Sequence, residues 1–305
     1  MNFKFKDKYG KEINVYKWMP DTDKEIKGVI QIAHGMTETA YRYDYVAKKL
    51  NEYGYIVYAN DHRGHGYTAK DKDELGYLGE GDGFSLLVED VKELNSIIRE
   101  ENKDLKIILL GHSMGSFVSQ RYAQLYSDTI DGLILSGSNG KPKWITKIGM
   151  LIAKIEMKLK GEKVRSKLMD KLSFGDFNRS FKPARTKFDW MCSDSKEIDK
   201  YIDDERCGFI CTTSFYHYLI KGLWNIHKEE NFKKVRKDLP IYIFSGDKDP
   251  VGYFEKGVND LYERYKNIGA KNVKQKLYKN GRHEMLNEVN KDEVILDVKN
   301  WIEEI

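Results

Sequence analysis

The chain has 305 residues, of which 40% are hydrophobic and 33% are charged, and its formal net charge is +4 at neutral pH. This composition excludes a disordered or low-complexity protein, and the length suffices for a large α/β domain with an insertion. No stretch approaches the roughly 18 apolar residues that span a bilayer, and the N-terminus lacks the apolar segment of a secretory signal.

Eight short apolar runs along the chain indicate strands. They occupy residues 3–5, 13–18, 28–33, 55–59, 106–110, 131–136, 240–245 and 273–278. Apolar positions at helical spacing indicate helices over 43–53 and 84–98 and in the residues after 113. Because strands alternate with helices, the sequence predicts a mostly parallel eight-stranded sheet flanked by helices.

A long segment separates the sixth predicted strand from the seventh. It is too long for a connector and has helical patterns of its own. The sequence therefore predicts a discontinuous core, formed by residues 1–139 and 238–305, and an inserted helical cap, or lid, at 140–237.

The first part of this segment is strongly basic, with ten Lys or Arg and three acidic residues between 141 and 171. Its apolar residues share one helical face: Trp144, Ile148, Leu151, Ile152, Ile155 and Leu159. We expect this face to pack on the protein's own core. A basic amphipathic helix can also lie on an anionic membrane surface, so peripheral membrane contact through the lid remains an alternative.

Ser113 stands at the turn between the fifth strand and the next helix, with Gly111 and Gly115 two residues away on either side. The Gly-x-Ser-x-Gly pattern is short and also occurs by chance, and glycines mark ordinary turns. A buried strand before it and a helix after it are the setting of a nucleophile elbow, in which the serine hydroxyl projects above the sheet. The sequence therefore predicts that Ser113 is a catalytic nucleophile.

An acidic residue and a histidine follow two later strands. Asp247 and Asp249 come after the seventh strand, and His283 comes after the eighth. Ligands of such sheets bind beyond the carboxyl ends of the strands, so these side chains should meet Ser113. A serine hydroxyl needs an adjacent base, which His283 would supply, and an aspartate would orient the imidazole. Taken singly, the aspartates could form a turn and the histidine could lie at the surface.

Five groups of residues, spread over 28–283, share a family pattern. They are His34-Gly-Met-Thr-Glu38 with Arg42-Tyr43, Asp61-His-Arg-Gly-His-Gly66, Gly111-His-Ser-Met-Gly115, Ser245-Gly-Asp-Lys-Asp249 and Arg282-His-Glu284. Together they resemble the monoacylglycerol lipase and lysophospholipase branch of the α/β-hydrolases. Thr39 and Thr68 stand where that branch often has His and Ser, near the pocket mouth or in supporting loops.

The resemblance implies an α/β-hydrolase fold and a serine ester hydrolase that cleaves single-chain lipids, monoacylglycerols or lysophospholipids, through an acyl-enzyme intermediate. The family's Gly-x-x-Asp pattern selects Asp249 over Asp247 as the acid. The backbone N–H groups of Met36 and Met114 would form the oxyanion hole. The residues expected to support these loops are His34, Gly35, Glu38, Arg42, Asp61, Arg63, Gly111 and Gly115.

Other functions remain open. The same triad would serve a general carboxylesterase or thioesterase acting on small soluble esters, and a ligand-binding, receptor-like module with residual turnover belongs to another class. We expect no cofactor, no metal and no nucleic-acid partner. Three cysteines without metal-site spacing favour reduced thiols, hence a cytoplasmic protein, with peripheral contact at the inner membrane surface if the lid docks.

Overall fold

A computed structural model describes residues 2–21 and 23–305 of the chain. Within these residues the strands form one eight-stranded sheet, in the order β1-β2-β4-β3-β5-β6-β7-β8. The strands are β1 (Asn2–Lys6), β2 (Glu12–Trp18), β3 (Gly28–Ala33), β4 (Tyr55–Asn60), β5 (Ile107–His112), β6 (Gly132–Ser136), β7 (Ile241–Gly246) and β8 (Val273–Tyr278). From β4 to β8 the neighbours are parallel, and β2 pairs antiparallel with β1 and β4. The predicted mostly parallel sheet is confirmed.

The helices lie between these strands. They are α1 (Asp44–Glu52), α2 (Gly83–Glu101), α3 (Met114–Tyr126), α4 (Ile145–Lys160), α5 (Lys167–Phe174), α6 (Ser195–Asp203), α7 (Thr213–Ile226), α8 (Glu229–Phe232), α9 (Glu255–Asn267) and α10 (Lys291–Glu304). Helices α1, α2 and α3 match the predicted ones, whereas α9 and α10 were not predicted. Among the helices that the structure describes, none has the length and apolar character needed to cross a membrane.

Two hydrophobic cores cover the two faces of the sheet. Successive residues of a strand point to opposite faces, so Val29 enters the core shared with α2 and α3, while Ile30 enters the core shared with α1 and α10. Strands β3, β4, β5 and β7 are buried along their whole length. This burial on both faces explains why these strands appear in the sequence as continuous apolar runs rather than alternating ones.

The parallel direction of the strands determines where the functional residues lie. The turns after β3, β5, β7 and β8 all leave the same edge of the sheet, because each strand ends there. These four turns carry Gly35, Ser113, Asp249 and His283. Residues that are far apart in sequence are thereby gathered at one site.

Between β6 and β7, the regular elements described are helices, from α4 to α8. The segment contains a small hydrophobic cluster of its own, formed by Trp190, Met191, Cys192, Ile198, Tyr201 and Cys207. Helix α7 packs against α2 and α3 of the sheet layer as well as against α4. A separate cluster is what an inserted cap requires, but the division into a core (1–139 and 238–305) and a cap (140–237) remains a prediction.

The expected packing of the apolar face of α4 is largely wrong. Trp144, Leu151 and Leu159 are 70%, 55% and 80% exposed, and Ile148 and Ile155 are also exposed. Helix α4 instead contacts its neighbours through small residues: Ala153 is fully buried, and Gly149 lies close to Met169 of α5 and Ile220 of α7. Small residues let helices approach closely, and this contact rotates the larger apolar side chains outward.

Candidate active site

Ser113 occupies a sharp turn between β5 and α3. Its backbone is in the left-handed region, with φ of 50° and ψ of −118°, which is uncommon for a residue other than glycine. The flanking glycines are required by close contacts: a Cβ on Gly115 would lie 2.0 Å from the carbonyl oxygen of Ala33, and one on Gly111 would lie 2.5 Å from that of Gly115. The turn therefore has the geometry of a nucleophile elbow.

His283 and Asp249 form a buried hydrogen-bonded pair. Nδ1 of His283 lies 3.0 Å from Oδ2 of Asp249, and both side chains are at most 3% exposed. The same carboxylate accepts the Ser245 hydroxyl at 2.7 Å on Oδ2 and the Val251 N–H at 2.8 Å on Oδ1. These donors fix the carboxylate, and the carboxylate in turn selects the tautomer that leaves Nε2 of His283 free to accept a proton.

The pair also shifts both proton affinities. Burial alone would raise the pKa of Asp249, but the charge of His283 and the donated hydrogen bonds outweigh it and lower the pKa. Burial alone would lower the pKa of His283, but the Asp249 carboxylate outweighs it and raises the pKa. An imidazole with raised proton affinity is a better general base.

Asp247 lies outside this arrangement. Its Oδ1 accepts the backbone N–H of Asn280 at 2.8 Å, which ties the turn after β7 to the turn after β8. The structure brings Asp249, and not Asp247, to His283.

Ser113 and His283 line one cavity of about 320 Å³, together with Gly35, Met36 and His112. Most of the remaining wall comes from residues 140–237. It includes a group of apolar and aromatic side chains, Phe174, Phe188, Trp190, Met191, Phe209 and Ile210, and also the polar or charged Asp170, Lys171, Asn178 and Lys187. Ser113 is partly exposed to this cavity, as a nucleophile must be. The cavity thus combines a reactive centre with a wall suited to hydrocarbon.

Two backbone N–H groups are adjacent to Ser113 or to the cavity wall: Met36 lines the cavity, and Met114 directly follows Ser113 in the chain. Met114 is the first residue of α3, and Met36 follows Gly35 in the turn after β3. Neither N–H has an acceptor within the part of the chain described. A Cβ on Gly35 would lie 3.3 Å from that of Ser113, so this turn passes directly beside the nucleophile. Two free donors beside a serine form an oxyanion hole if both point at the reacting carbonyl.

A buried ionic network connects the turn after β3 to the turn after β8, which carries His283. Glu38 accepts the Gly35 N–H, and Arg42 contacts Glu38 at 2.6 Å. Arg42 also donates two hydrogen bonds, of 2.8 and 2.7 Å, to Glu284, the residue after His283. Burial alone would raise the pKa of Glu284, but Arg42 overrides it and lowers the pKa to about 2. The network keeps the two turns in register.

Asp61 and Arg63 fix the next turn, after β4. The Asp61 carboxylate accepts the N–H groups of Ala40 and Tyr67 at 2.9 and 2.8 Å. Arg63 is buried against Asp90 at 2.7 Å and also contacts Asp7. A Cβ on Gly66 would meet the Asp61 carboxylate at 2.2 Å. The contacts with Tyr67 and Gly66 close the turn itself, whereas those with Ala40, Asp90 and Asp7 join it to elements that are distant in sequence.

The other histidines near the site are held in neutral form. His34 accepts the His62 N–H at 2.9 Å on Nε2, with Nδ1 2.8 Å from the carbonyl of Gly35, and thus links two turns. Burial lowers the pKa of His62 to about 3 and that of His65 to about 4. Neither ring lines the cavity beside Ser113.

Three further aromatic rings lie at the site, and two of them, Trp190 and Tyr201, have no signal in the sequence. The ring of His112 lies 4.7 Å from that of His283, where burial lowers the His112 pKa to about 3. Trp190 lies 5.2 Å from His283, and Tyr201 contacts Thr37 in the turn after β3. His112 lines the same cavity as Ser113. A lone aromatic in an insertion is indistinguishable by pattern from a core residue.

The Hydrolase_4 family, described as serine aminopeptidase, S33, matches residues 24–290. The chain belongs to this family. It is 28% identical to a monoacylglycerol lipase of Mycolicibacterium smegmatis, over 93% of this chain and 90% of that enzyme. Its structure is similar, with a TM-score of 0.92 and 29% identity, to a thermostable carboxyl esterase from Bacillus coagulans in complex with glycerol, covering 100% of this chain and 98% of that one.

A soluble variant of the monoglyceride lipase from Saccharomyces cerevisiae shares the fold, with a TM-score of 0.76 at 20% identity over 100% of this chain and 94% of that one. These findings confirm the predicted α/β-hydrolase fold and the resemblance to the monoacylglycerol lipase branch. The assignment of this S33 family member to the carboxylic ester hydrolases is confirmed as well.

Proposed function

We propose that this hydrolase cleaves carboxylic esters of single-chain lipids, monoacylglycerols or lysophospholipids, through an acyl-enzyme on Ser113. One observation carries the proposal: a serine in an elbow and a histidine oriented by Asp249 face the same apolar cavity. Alternatives with the same triad act on small soluble esters or thioesters. The relatives named monoacylglycerol lipase favour the lipid substrate.

In the first half of the reaction, Ser113 Oγ attacks the ester carbonyl carbon while Nε2 of His283 takes the hydroxyl proton. The carbonyl oxygen becomes an oxyanion and accepts the N–H groups of Met36 and Met114. The intermediate then collapses, the bond to the alcohol breaks, and His283 returns its proton to the leaving alcohol. The acyl group remains on Ser113.

In the second half, a water molecule replaces the alcohol. The water oxygen attacks the acyl carbon while His283 takes a proton from the water. The same two N–H groups stabilise the second oxyanion. Collapse releases the fatty acid, and the proton returns to Ser113. Asp249 stays ionised throughout and stabilises the imidazolium that forms twice.

A substrate panel tests the proposal. The purified protein is incubated with monoacylglycerols, lysophospholipids, short soluble esters, thioesters and an aminoacyl amide, and the products are identified by mass spectrometry. We expect fatty acid from single-chain lipids, with no release by Ser113→Ala. Preference for short esters or thioesters, or cleavage of the amide alone, would favour the corresponding alternative.

The receptor-like alternative has a separate readout. A fluorophosphonate probe forms a covalent bond only with an activated serine, so it should label Ser113 in the wild type and fail in Ser113→Ala. Tight binding of a lipid without labelling or turnover would instead favour a binding module.

We also propose that the lid contacts an anionic membrane. Besides the exposed apolar side chains of α4, Leu168 and Leu172 of α5 are 48% and 57% exposed, so the basic segment carries several exposed apolar side chains. Lys154 and Lys158 lie exposed on the same helix. Apolar side chains flanked by lysines complement a surface of anionic lipids, to which each lysine contributes roughly 1 kcal/mol.

Charge reversal tests this contact. The triple variant Lys147→Glu, Lys154→Glu and Lys158→Glu should bind anionic vesicles more weakly and hydrolyse vesicle-borne lipid more slowly, while turnover of a soluble ester barely changes. The matched control reverses three exposed lysines outside the segment, at positions 6, 103 and 271.

Polar replacement of Ile148 and Ile155 provides a second arm. Because both are exposed, vesicle binding should fall while the thermal unfolding temperature stays within about 2 °C. Equal vesicle binding by wild type and charge-reversed variant, at low and high salt, would rule out docking.

A further inference from the structure

Thr37, the residue after the oxyanion donor Met36, has an unusual backbone conformation. Its φ is 57°, in the left-handed region that a β-branched residue rarely adopts. Such a conformation persists only where surrounding contacts hold it. The contacts of Thr37 therefore bear on how the neighbouring N–H of Met36 is aimed.

Both recorded hydrogen bonds of Thr37 come from the inserted segment. Its carbonyl oxygen accepts the N–H of Gly208 at 2.9 Å, and its hydroxyl lies 2.8 Å from that of Tyr201 on α6. On the other side of Met36, the Gly35 N–H is held by Glu38. Met36 thus lies between Gly35, which is held by Glu38, and Thr37, which is held by the inserted segment.

Tyr201 is itself rigidly placed. It is 3% exposed, its ring lies 4.9 Å from the Arg42 guanidinium on one side, and it meets the Phe188 ring edge-on at 4.9 Å. Gly208 packs so closely that a Cβ there would lie 3.3 Å from the Tyr201 ring and 3.1 Å from Phe188. Removing the hydroxyl alone would leave this packing intact.

We propose that Tyr201 is a positioning residue of the hydrolase: with Gly208 it holds Thr37 in its left-handed conformation and so aims the Met36 N–H at the oxyanion. The inference rests on the proposed serine mechanism. The inserted segment would then do more than line the cavity: it would also help to stabilise the transition state. The oxyanion hole is then complete only while α6 and the 204–208 turn sit on the sheet layer.

The variant Tyr201→Phe tests the role. With a soluble ester, kcat should fall about fivefold to tenfold while KM stays within twofold, because the anchor acts on the transition state. Affinity for a trifluoromethyl ketone, which adds Ser113 Oγ and carries a tetrahedral oxyanion, should fall by the same factor as kcat. The pH at which kcat/KM is half-maximal should not move, because His283 and Asp249 are untouched.

Tyr122→Phe is the matched control. Tyr122 is also a buried tyrosine whose hydroxyl bonds a threonine hydroxyl, that of Thr129, at the far end of α3. This variant should keep kcat and ketone affinity within twofold of wild type, whatever it does to the unfolding temperature. Equal kcat in Tyr201→Phe and Tyr122→Phe would overturn the inference.

Two substitutions of Thr37 separate anchoring from strain. Thr37→Val keeps the β-branched shape but loses the hydroxyl, so its kcat should fall at least as far as that of Tyr201→Phe. Thr37→Gly also loses the hydroxyl contact with Tyr201 but adopts the left-handed conformation without strain, so it should keep more activity than Thr37→Val. The reverse order would contradict the inference. If Ser113→Ala stays active, the serine mechanism itself has failed; if only the Tyr201 and Thr37 results fail, the mechanism stands without the anchor.

Discussion

Replacing Asp249 by asparagine changes one atom of the carboxylate from an acceptor to a donor. The wild-type side chain accepts three hydrogen bonds: two on Oδ2, from His283 and Ser245, and one on Oδ1, from the Val251 N–H. Asparagine can accept on one side only. The outcome depends on which side the new amide group takes.

The NH₂ group of the new asparagine should face His283 and Ser245, with the amide oxygen facing the Val251 N–H. If its NH₂ group faced Val251, two buried donors would meet, at a cost of about 1–3 kcal/mol. Facing His283 and Ser245 is less costly, because the serine hydroxyl can reverse and the imidazole can change tautomer. The imidazole then accepts on Nδ1 and carries its proton on Nε2, where it can no longer accept the proton of Ser113. Turnover should therefore fall roughly 10³–10⁴-fold.

Steady-state kcat on a soluble ester measures the effect, with thermal unfolding as the check on folding. The control is Asp247→Asn: its amide oxygen can still accept the N–H of Asn280, so kcat should stay within about threefold of wild type. A kcat for Asp249→Asn within tenfold of wild type, or a larger loss in Asp247→Asn, would refute the assignment.

Three further predictions concern the triad and the elbow. Ser113→Ala and His283→Ala should each lower kcat by roughly 10⁴–10⁶-fold with little change in unfolding temperature; near-normal turnover in either would exclude the serine mechanism. Because Asp249 raises the pKa of His283, kcat/KM should fall as the pH drops through a midpoint above 6.5, and a midpoint below 6.5 in a pH–rate profile would contradict this. Folding stability should change in the opposite direction. The stabilisation from the charged His283–Asp249 pair is present below pH 6.5 and is lost as the pH rises through the folded-state pKa. Gly115→Ala places a methyl group 2.0 Å from the Ala33 carbonyl, so chemical denaturation should show a loss of about 1–3 kcal/mol or more, and an unchanged free energy of unfolding would contradict the turn geometry.

Where the sequence has a local hydrophobic pattern, either a continuous apolar run or an apolar helical stripe, it predicted the secondary structure well. Strands buried on both faces must be apolar throughout, and the first helices have a stripe that faces the sheet, so β3, β5 and α2 were recognisable. The parallel order of strands then placed Ser113 and His283 at one edge without any knowledge of contacts. This is why the sequence could predict that Ser113, Asp249 and His283 lie at the same edge of the sheet.

The outward orientation of the apolar face of α4 could not be predicted. The apolar stripe of α4 has the same period whether it faces a core or faces outward, and the sequence favoured the core. The tertiary structure turned it outward, because the small residue Gly149 lies close to Ile220 of α7 and Ala153 is fully buried. The choice depends on a neighbour about 70 residues away, which periodicity does not encode.

The connections between loops were likewise decided by tertiary structure. The sequence singled out Glu38 and Arg42 as loop supports, but the bridge from Arg42 to Glu284 spans 242 positions, and that from Thr37 to Tyr201 spans 164. Such pairs leave no mark in spacing, because each partner alone is an ordinary polar residue. The sequence by itself determined which residues follow the carboxyl ends of the strands and therefore lie at one edge of the sheet. How rigidly those residues are held was decided only when distant turns came within hydrogen-bonding distance.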